Sequence, residues 1–193
     1  MALARSRFSD NARGFSLLEV LVSTALLATG LLSIAQLFAI ATDSNRRARM
    51  STCAAILAEQ KMEQLRGLTW GYDLLGLPLS DMSSNISVLP ATATAGSGLA
   101  PSPPHSLITN VPGFVDYLDA YGTWVGTGSN PPAGTVYIRR WSIEPLPTNP
   151  NNTLILQILV TRFLNRGTAA DAGSVKRLPE EARLITVKTR KSR

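Results

Sequence analysis

The sequence predicts an α+β chain. One long N-terminal helix, transmembrane in its first half and amphipathic in its second, packs on a small antiparallel β-sheet head. Three observations lead there. An apolar run from Phe15 to Ala41 contains no proline. A helix-forming stretch without Gly or Pro continues it to Arg66 and carries one apolar stripe. Strand-like segments near 135–144, 153–163 and 182–189 close the chain.

Composition bounds the function. The chain has 193 residues, a formal charge of +6, 45% hydrophobic residues and only 17% charged ones. That charged share is below the roughly 25% usual for soluble domains, so there is unusually much apolar surface to hide. A single Cys excludes an internal disulfide framework, and one Cys with one His excludes a zinc site built from those ligands. No cofactor or metal is expected.

The first element is the apolar helix of residues 15–41. Of its 27 residues, 19 are apolar, and Leu, Val and Ile occupy every face. A helix apolar all round is buried in lipid or in other protein. At about 1.5 Å per residue it reaches roughly 40 Å, enough to cross a hydrocarbon core of about 30 Å with some tilt. Arg5, Arg7 and Arg13 precede it and Arg46, Arg47 and Arg49 follow it, so charge alone gives no orientation. A secretory signal cut after Ala41 is the competing reading, since Ala39-Ile40-Ala41 is a small-x-small site. The segment is about twice the usual length of a signal core and carries a carboxylate near its start.

That carboxylate is Glu19. In an apolar span it costs on the order of 2.5 to 3.5 kcal/mol. Either Glu19 lies shallow enough to reach the headgroups, or a cation meets it. A cut between Gly14 and Phe15 would create such a cation, an α-amine four residues before Glu19. Each buried charge would then have a partner.

Arg13-Gly14-Phe15-Ser16-Leu17-Leu18-Glu19-Val20, behind a basic leader and ahead of a long apolar run, resembles the processing site of type IV prepilins and type II secretion pseudopilins. The resemblance implies a leader of residues 1–14 ending at Gly14, an N-methylated mature N-terminus at Phe15, and an assembly carboxylate at Glu19 that meets the methylated amine of a neighbouring subunit. It implies a type IV pilin-like fold, with residues 15–41 serving as membrane anchor and later as filament core. Its partners would be the prepilin peptidase, other pilins through the N-terminal helix, and inner-membrane lipid. The chain would wait in the bacterial inner membrane as a single-pass protein with its head outside the cytoplasm, then enter a pilus or pseudopilus filament. The family's role is structural, so no enzyme is expected.

Residues 42–66 continue the helix. Met50, Ala54, Leu57, Ala58, Met62 and Leu65 fall near one face, with Arg46, Arg47, Arg49 and Lys61 placed largely elsewhere. Gly67 is a natural stop. Cys53 reads mainly as a small packing residue, and an intermolecular disulfide is the sharper alternative.

The head is residues 67–193. Trp70–Leu79, with Gly71, Gly76 and Pro78, reads as an irregular connection, and Ala91–Pro104 as a surface loop followed by an exposed His105. Phe114, Tyr117, Leu118 and Tyr121 follow helical spacing, so a short helix is expected within Pro112–Gly122. Thr135–Glu144 and Thr153–Phe163 suit an antiparallel pair with a turn-rich connector, and Ala182–Thr189 a third strand.

Met62-Glu63-Gln64-Leu65-Arg66-Gly67-Leu68, Phe114-Val115-Asp116-Tyr117 and Arg139-Arg140-Trp141 resemble PilV-type minor pilins, with type II secretion pseudopilins second. The tail from Lys176 to Arg193 is basic. It reads as a solvated strand edge, with an acidic partner or nucleic acid as the sharper alternative. Aromatic interleaving is absent there, which disfavours nucleic acid. Two other classes remain: a membrane-anchored enzyme, for which no acid/base or nucleophile arrangement exists, and a secreted or anchored binding module.

Overall fold

The computed structural model describes residues 15–82, 97–163 and 181–191. The leader 1–14, part of the expected loop at 91–104 and both ends of the basic tail, 176–180 and 192–193, lie outside them. Helix α1 runs Leu17–Gly67. Strand β1 is Trp70–Tyr72, β2 Pro78–Ser80, β3 Val115–Leu118, β4 Trp124–Gly126, β5 Tyr137–Pro145, β6 Thr153–Arg162 and β7 Ala182–Thr189. Two compact units result, residues 1–45 and 46–193.

In the first unit the side chains of α1 are exposed on every face, and the most apolar 18-residue window has a mean hydropathy of 2.0. This is the membrane-spanning composition expected. Several of its hydroxyls bond back to the helix itself. Thr24 Oγ1 donates to Leu21 O at 3.0 Å, Thr29 Oγ1 to Leu26 O at 2.9 Å and Ser33 Oγ to Thr29 O at 2.9 Å. Bonding back to the preceding turn removes much of the cost of placing a hydroxyl in an apolar medium.

In the second unit α1 is two-faced. Ala54, Leu57, Ala58, Lys61, Met62 and Leu65 are buried. They repeat at three- and four-residue steps, the stripe that a helix lays on a sheet. Lys61 therefore corrects the sequence reading: it lies on the packed stripe, not away from it, for reasons given below. Cys53 is half-buried at the margin of the same core.

The five-stranded sheet has the order β4-β3-β5-β6-β7, antiparallel throughout. The face towards α1 contributes Leu118, Tyr137, Trp141, Ile143, Leu154, Leu156, Ile158 and Val160 to one core. Alternate residues Val115, Tyr117 and Ile138 form a smaller cluster on the opposite face. There Tyr117 donates its hydroxyl to Gly128 O at 2.7 Å. Seven successive residues of β5, Tyr137–Ile143, are buried because both faces of that strand are covered.

Two expectations are corrected. Pro112–Gly122 holds no helix. Gly113 and Gly122 both have positive φ, and between them Val115–Leu118 forms β3, paired in register with β5. Phe114, Tyr117 and Leu118 are all buried, but strand alternation separates Tyr117 from Leu118 onto opposite faces. Two covered faces imitate helical spacing over so short a stretch. Trp70–Leu79 is likewise no irregular connection. It contains the hairpin β1–β2, with Gly71 opposite Leu79. Asp73 Oδ1 accepts from Leu75 N–H at 2.9 Å and from Leu77 N–H at 2.7 Å, and Gly76 takes φ 81°. An Asx turn and one left-handed glycine thus close a tight loop.

Candidate functional site

Ser16 precedes the first helical residue and caps α1. Its carbonyl accepts from Glu19 N–H at 3.0 Å and from Val20 N–H at 3.2 Å. Its Oγ accepts from Glu19 N–H at 3.2 Å. Ser16 and Glu19 are thus the N-cap and N3 residues of a Ser-x-x-Glu capping pattern. A carboxylate at N3 also faces the positive end of the helix dipole. Glu19 therefore has a local reason to sit where it does, in addition to any role between subunits. Phe15, immediately before the cap, is 81% exposed. Gly14 lies outside the described residues. The structure thus places Glu19 on the first turn of an exposed apolar helix, with Phe15 just ahead of its cap.

The family comparison falls on this same stretch. Residues 9–35 match the prokaryotic N-terminal methylation motif. The match indicates a pilin-like or pseudopilin-like chain. It implies processing by the prepilin peptidase and assembly with other pilins, and with the apolar helix it suggests a membrane-anchored subunit. The α1-on-sheet architecture is consistent with the type IV pilin-like α+β fold. No curated protein and no solved structure matches the chain.

The head of this prepilin-like chain contains a second constellation, which the sequence did not reveal. Asp116 on β3 and Arg139 on β5 are register partners. Arg139 Nη2 donates to Asp116 Oδ2 at 2.9 Å, and Lys61 Nζ lies 3.2 Å from the same oxygen. Lys61, Asp116 and Arg139 are 1%, 1% and 2% exposed. Arg139 Nη1 donates onward to Leu57 O of α1 at 3.1 Å. Lys61 Nζ also sits 3.7 Å from the Trp141 ring centroid, where the ring face attracts a cation. The Lys61 ammonium is lowered from its usual pKa of 10.5 to about 8, chiefly by burial, with Asp116 opposing the shift and Arg139 adding to it. Three charges thus lock helix to sheet. This is an anchoring device; the group contains no nucleophile–base arrangement to carry a reaction.

Lys188 is the other basic residue with an unforeseen role. From β7 its ammonium donates to Leu65 O at 3.3 Å, to Arg66 O at 2.6 Å and to Leu68 O. It caps the end of α1, where the last carbonyls lack intrahelical donors. Burial lowers its pKa, with Asp81 opposing and Arg66 reinforcing the shift. Arg190 stacks on Trp70, 3.7 Å from the ring centroid, and donates to Gly71 O at 2.9 Å. The solvated-tail reading is therefore corrected at Lys188 and Arg190, whose side chains hold the β1–β2 hairpin and the helix end to the sheet. His105 is exposed, as expected for a loop residue, at φ 66°. Among the described residues no group of three or more His, Cys, Asp or Glu side chains converges as a metal site.

Proposed function

We propose that this chain is a minor pilin subunit of a type IV pilus. The prepilin peptidase would cut after Gly14 and methylate the amine of Phe15. The subunit would wait in the inner membrane on residues 15–41 and then enter, prime or cap the filament through that helix. Glu19 would receive the methylated amine of a neighbouring subunit and so set axial register, the best-attested use of a buried polar contact. The observation that carries this reading is the coincidence of the methylation motif at residues 9–35 with a carboxylate on the first turn of a helix apolar on every face.

A pseudopilin of type II secretion shares the same N-terminal chemistry. The preference for the minor pilin rests on the resemblances at residues 62–68, 114–117 and 139–141.

Mass spectrometry of the mature N-terminus tests the processing step. A chain starting at N-methyl-Phe15 is the expected result. A start at Thr42 would instead show a secreted protein, and an intact Met1 a plain anchor. Deleting the gene in a piliated host separates the two assembly readings: loss of pili with secretion unimpaired supports the minor pilin, and the reverse supports the pseudopilin.

A further inference from the structure

The apolar run of α1 ends at Ala41, and Arg46, Arg47 and Arg49 follow it, all exposed. Asp43 is the only acidic residue between Glu19 and Glu59. Asp43 and Arg47 are already engaged. The side chains of Arg46 and Arg49 make no hydrogen bond or ion pair among the described residues. Three residues apart on a helix, they are neighbours on one face, about 5–6 Å apart at Cβ. Head packing does not claim them, because the buried stripe of α1 begins only at Ala54.

Helix geometry sets their depth. At about 1.5 Å per residue, Arg46 lies about 8 Å past Ala41 and Arg49 about 12 Å past it. The polar layer outside a hydrocarbon core is about 5–8 Å thick on each side. Arginine stems are long enough to lay their charged ends back into that layer. A phosphate there meets two guanidinium forks, whose geometry matches it. A second copy of the chain is a poorer partner in the bilayer. Its equal apolar run would hold it at the same depth, arginine opposite arginine. The next acidic residue, Glu59, lies about 20 Å further along the helix than Arg46.

We infer that Arg46 and Arg49 bind the phosphate headgroup of an anionic phospholipid in the leaflet nearer the head. The contact holds the helix at a set depth while the subunit waits in the membrane. Each cation at such a surface strengthens attraction to anionic lipid about fivefold. The inference rests on the membrane-anchored reading of residues 15–41 and not on the choice between pilus and secretion.

The test uses the full chain in neutral detergent and native mass spectrometry, with dioleoyl phosphatidylglycerol or dioleoyl phosphatidylcholine titrated in. Tighter retention of phosphatidylglycerol is expected. Arg46→Gln and Arg49→Gln should each weaken it about fivefold, and the double variant should abolish the preference. Arg66→Gln removes the same charge far along the helix, beside Glu63, and should leave the preference unchanged. An equal loss there would overturn the site in favour of net charge alone. Glycerol 1-phosphate should bind far more weakly than the lipid, and equal binding would overturn the lipid assignment in favour of free phosphate. No preference for phosphatidylglycerol would also overturn the proposal. If the double variant then dissolves a dimer formed in phosphatidylcholine vesicles, the arginines are a contact between copies instead. Carbonate-resistant insertion into phosphatidylcholine vesicles checks the anchor by itself and should hold in every variant. Insertion without lipid preference sinks this inference alone, whereas failed insertion of the native chain sinks the anchor reading and the inference with it.

Discussion

The ammonium of Lys61 lies 3.2 Å from the carboxylate of Asp116, and both side chains are 1% exposed. One comes from α1 and the other from β3 of the sheet. Arg139 holds the same carboxylate oxygen at 2.9 Å. The group thus places two cations around one anion inside the core, with the Trp141 ring against Lys61.

The three residues should therefore respond unequally to substitution. Asp116→Ala leaves Lys61 and Arg139 facing each other without a counter-charge and should destabilise the head by about 3–5 kcal/mol. Lys61→Met keeps the Asp116–Arg139 pair and fills similar volume, so it should be neutral or stabilising by up to about 3 kcal/mol. Urea unfolding of the full chain in detergent, followed by tryptophan fluorescence, measures both. Equal losses from the two variants would refute the assignment of Asp116 as the shared anion.

The depressed pKa of Lys61 has a signed consequence. Between about 8 and 10.5 the unfolded chain binds the proton that the folded chain has released. Stability must then rise with pH across that window, and the gain is lost as pH falls through about 8. The rise should be on the order of 3 kcal/mol or less. Unfolding curves at pH 7.5 and pH 10 should show it in the native chain and lack it in Lys61→Met. Parallel behaviour of the two proteins would contradict a buried, charged Lys61.

Lys188→Met should leave the carbonyls of Leu65, Arg66 and Leu68 without this shared donor and lower stability by about 1–3 kcal/mol. Hydrogen exchange should accelerate in the last turn of α1 and in β1, with little change in β5 and β6. Processing of the N-terminus should be unaffected, because the change lies in the head.

Glu19→Leu and Glu19→Ala separate the two reasons for that carboxylate. Capping accounts for about 1 kcal/mol at most and acts within one chain. A role between subunits acts on assembly. Both variants should insert into the membrane and be processed normally, yet enter filaments poorly in a host carrying the other pilins. Full incorporation of either would leave Glu19 as a helix-start residue only.

The helix was legible before the structure because its signals are local: no proline, good helix formers, an apolar run and then an apolar stripe. The N-terminal motif was legible for the same reason, since processing reads a short linear stretch. β7, spanning Ala182–Thr189, follows from simple alternation. β3 was misread as a helix because four residues with both faces covered carry no period of their own. The β1–β2 hairpin was missed because its turn relies on Asp73 bonding its own backbone across a Leu-rich loop of unusual exposure.

What the sequence determined by itself was therefore the class of the chain, the long helix with its change of character, and the candidate processing junction. Each depends on neighbours within a few turns. Only the tertiary structure decided where the charges went. Lys61, Asp116 and Arg139 are far apart along the chain, and Lys188 and Arg190 look like a solvated tail until β7 carries them to the end of α1. A charge can be buried only where a distant partner meets it, and that meeting is a property of the folded chain.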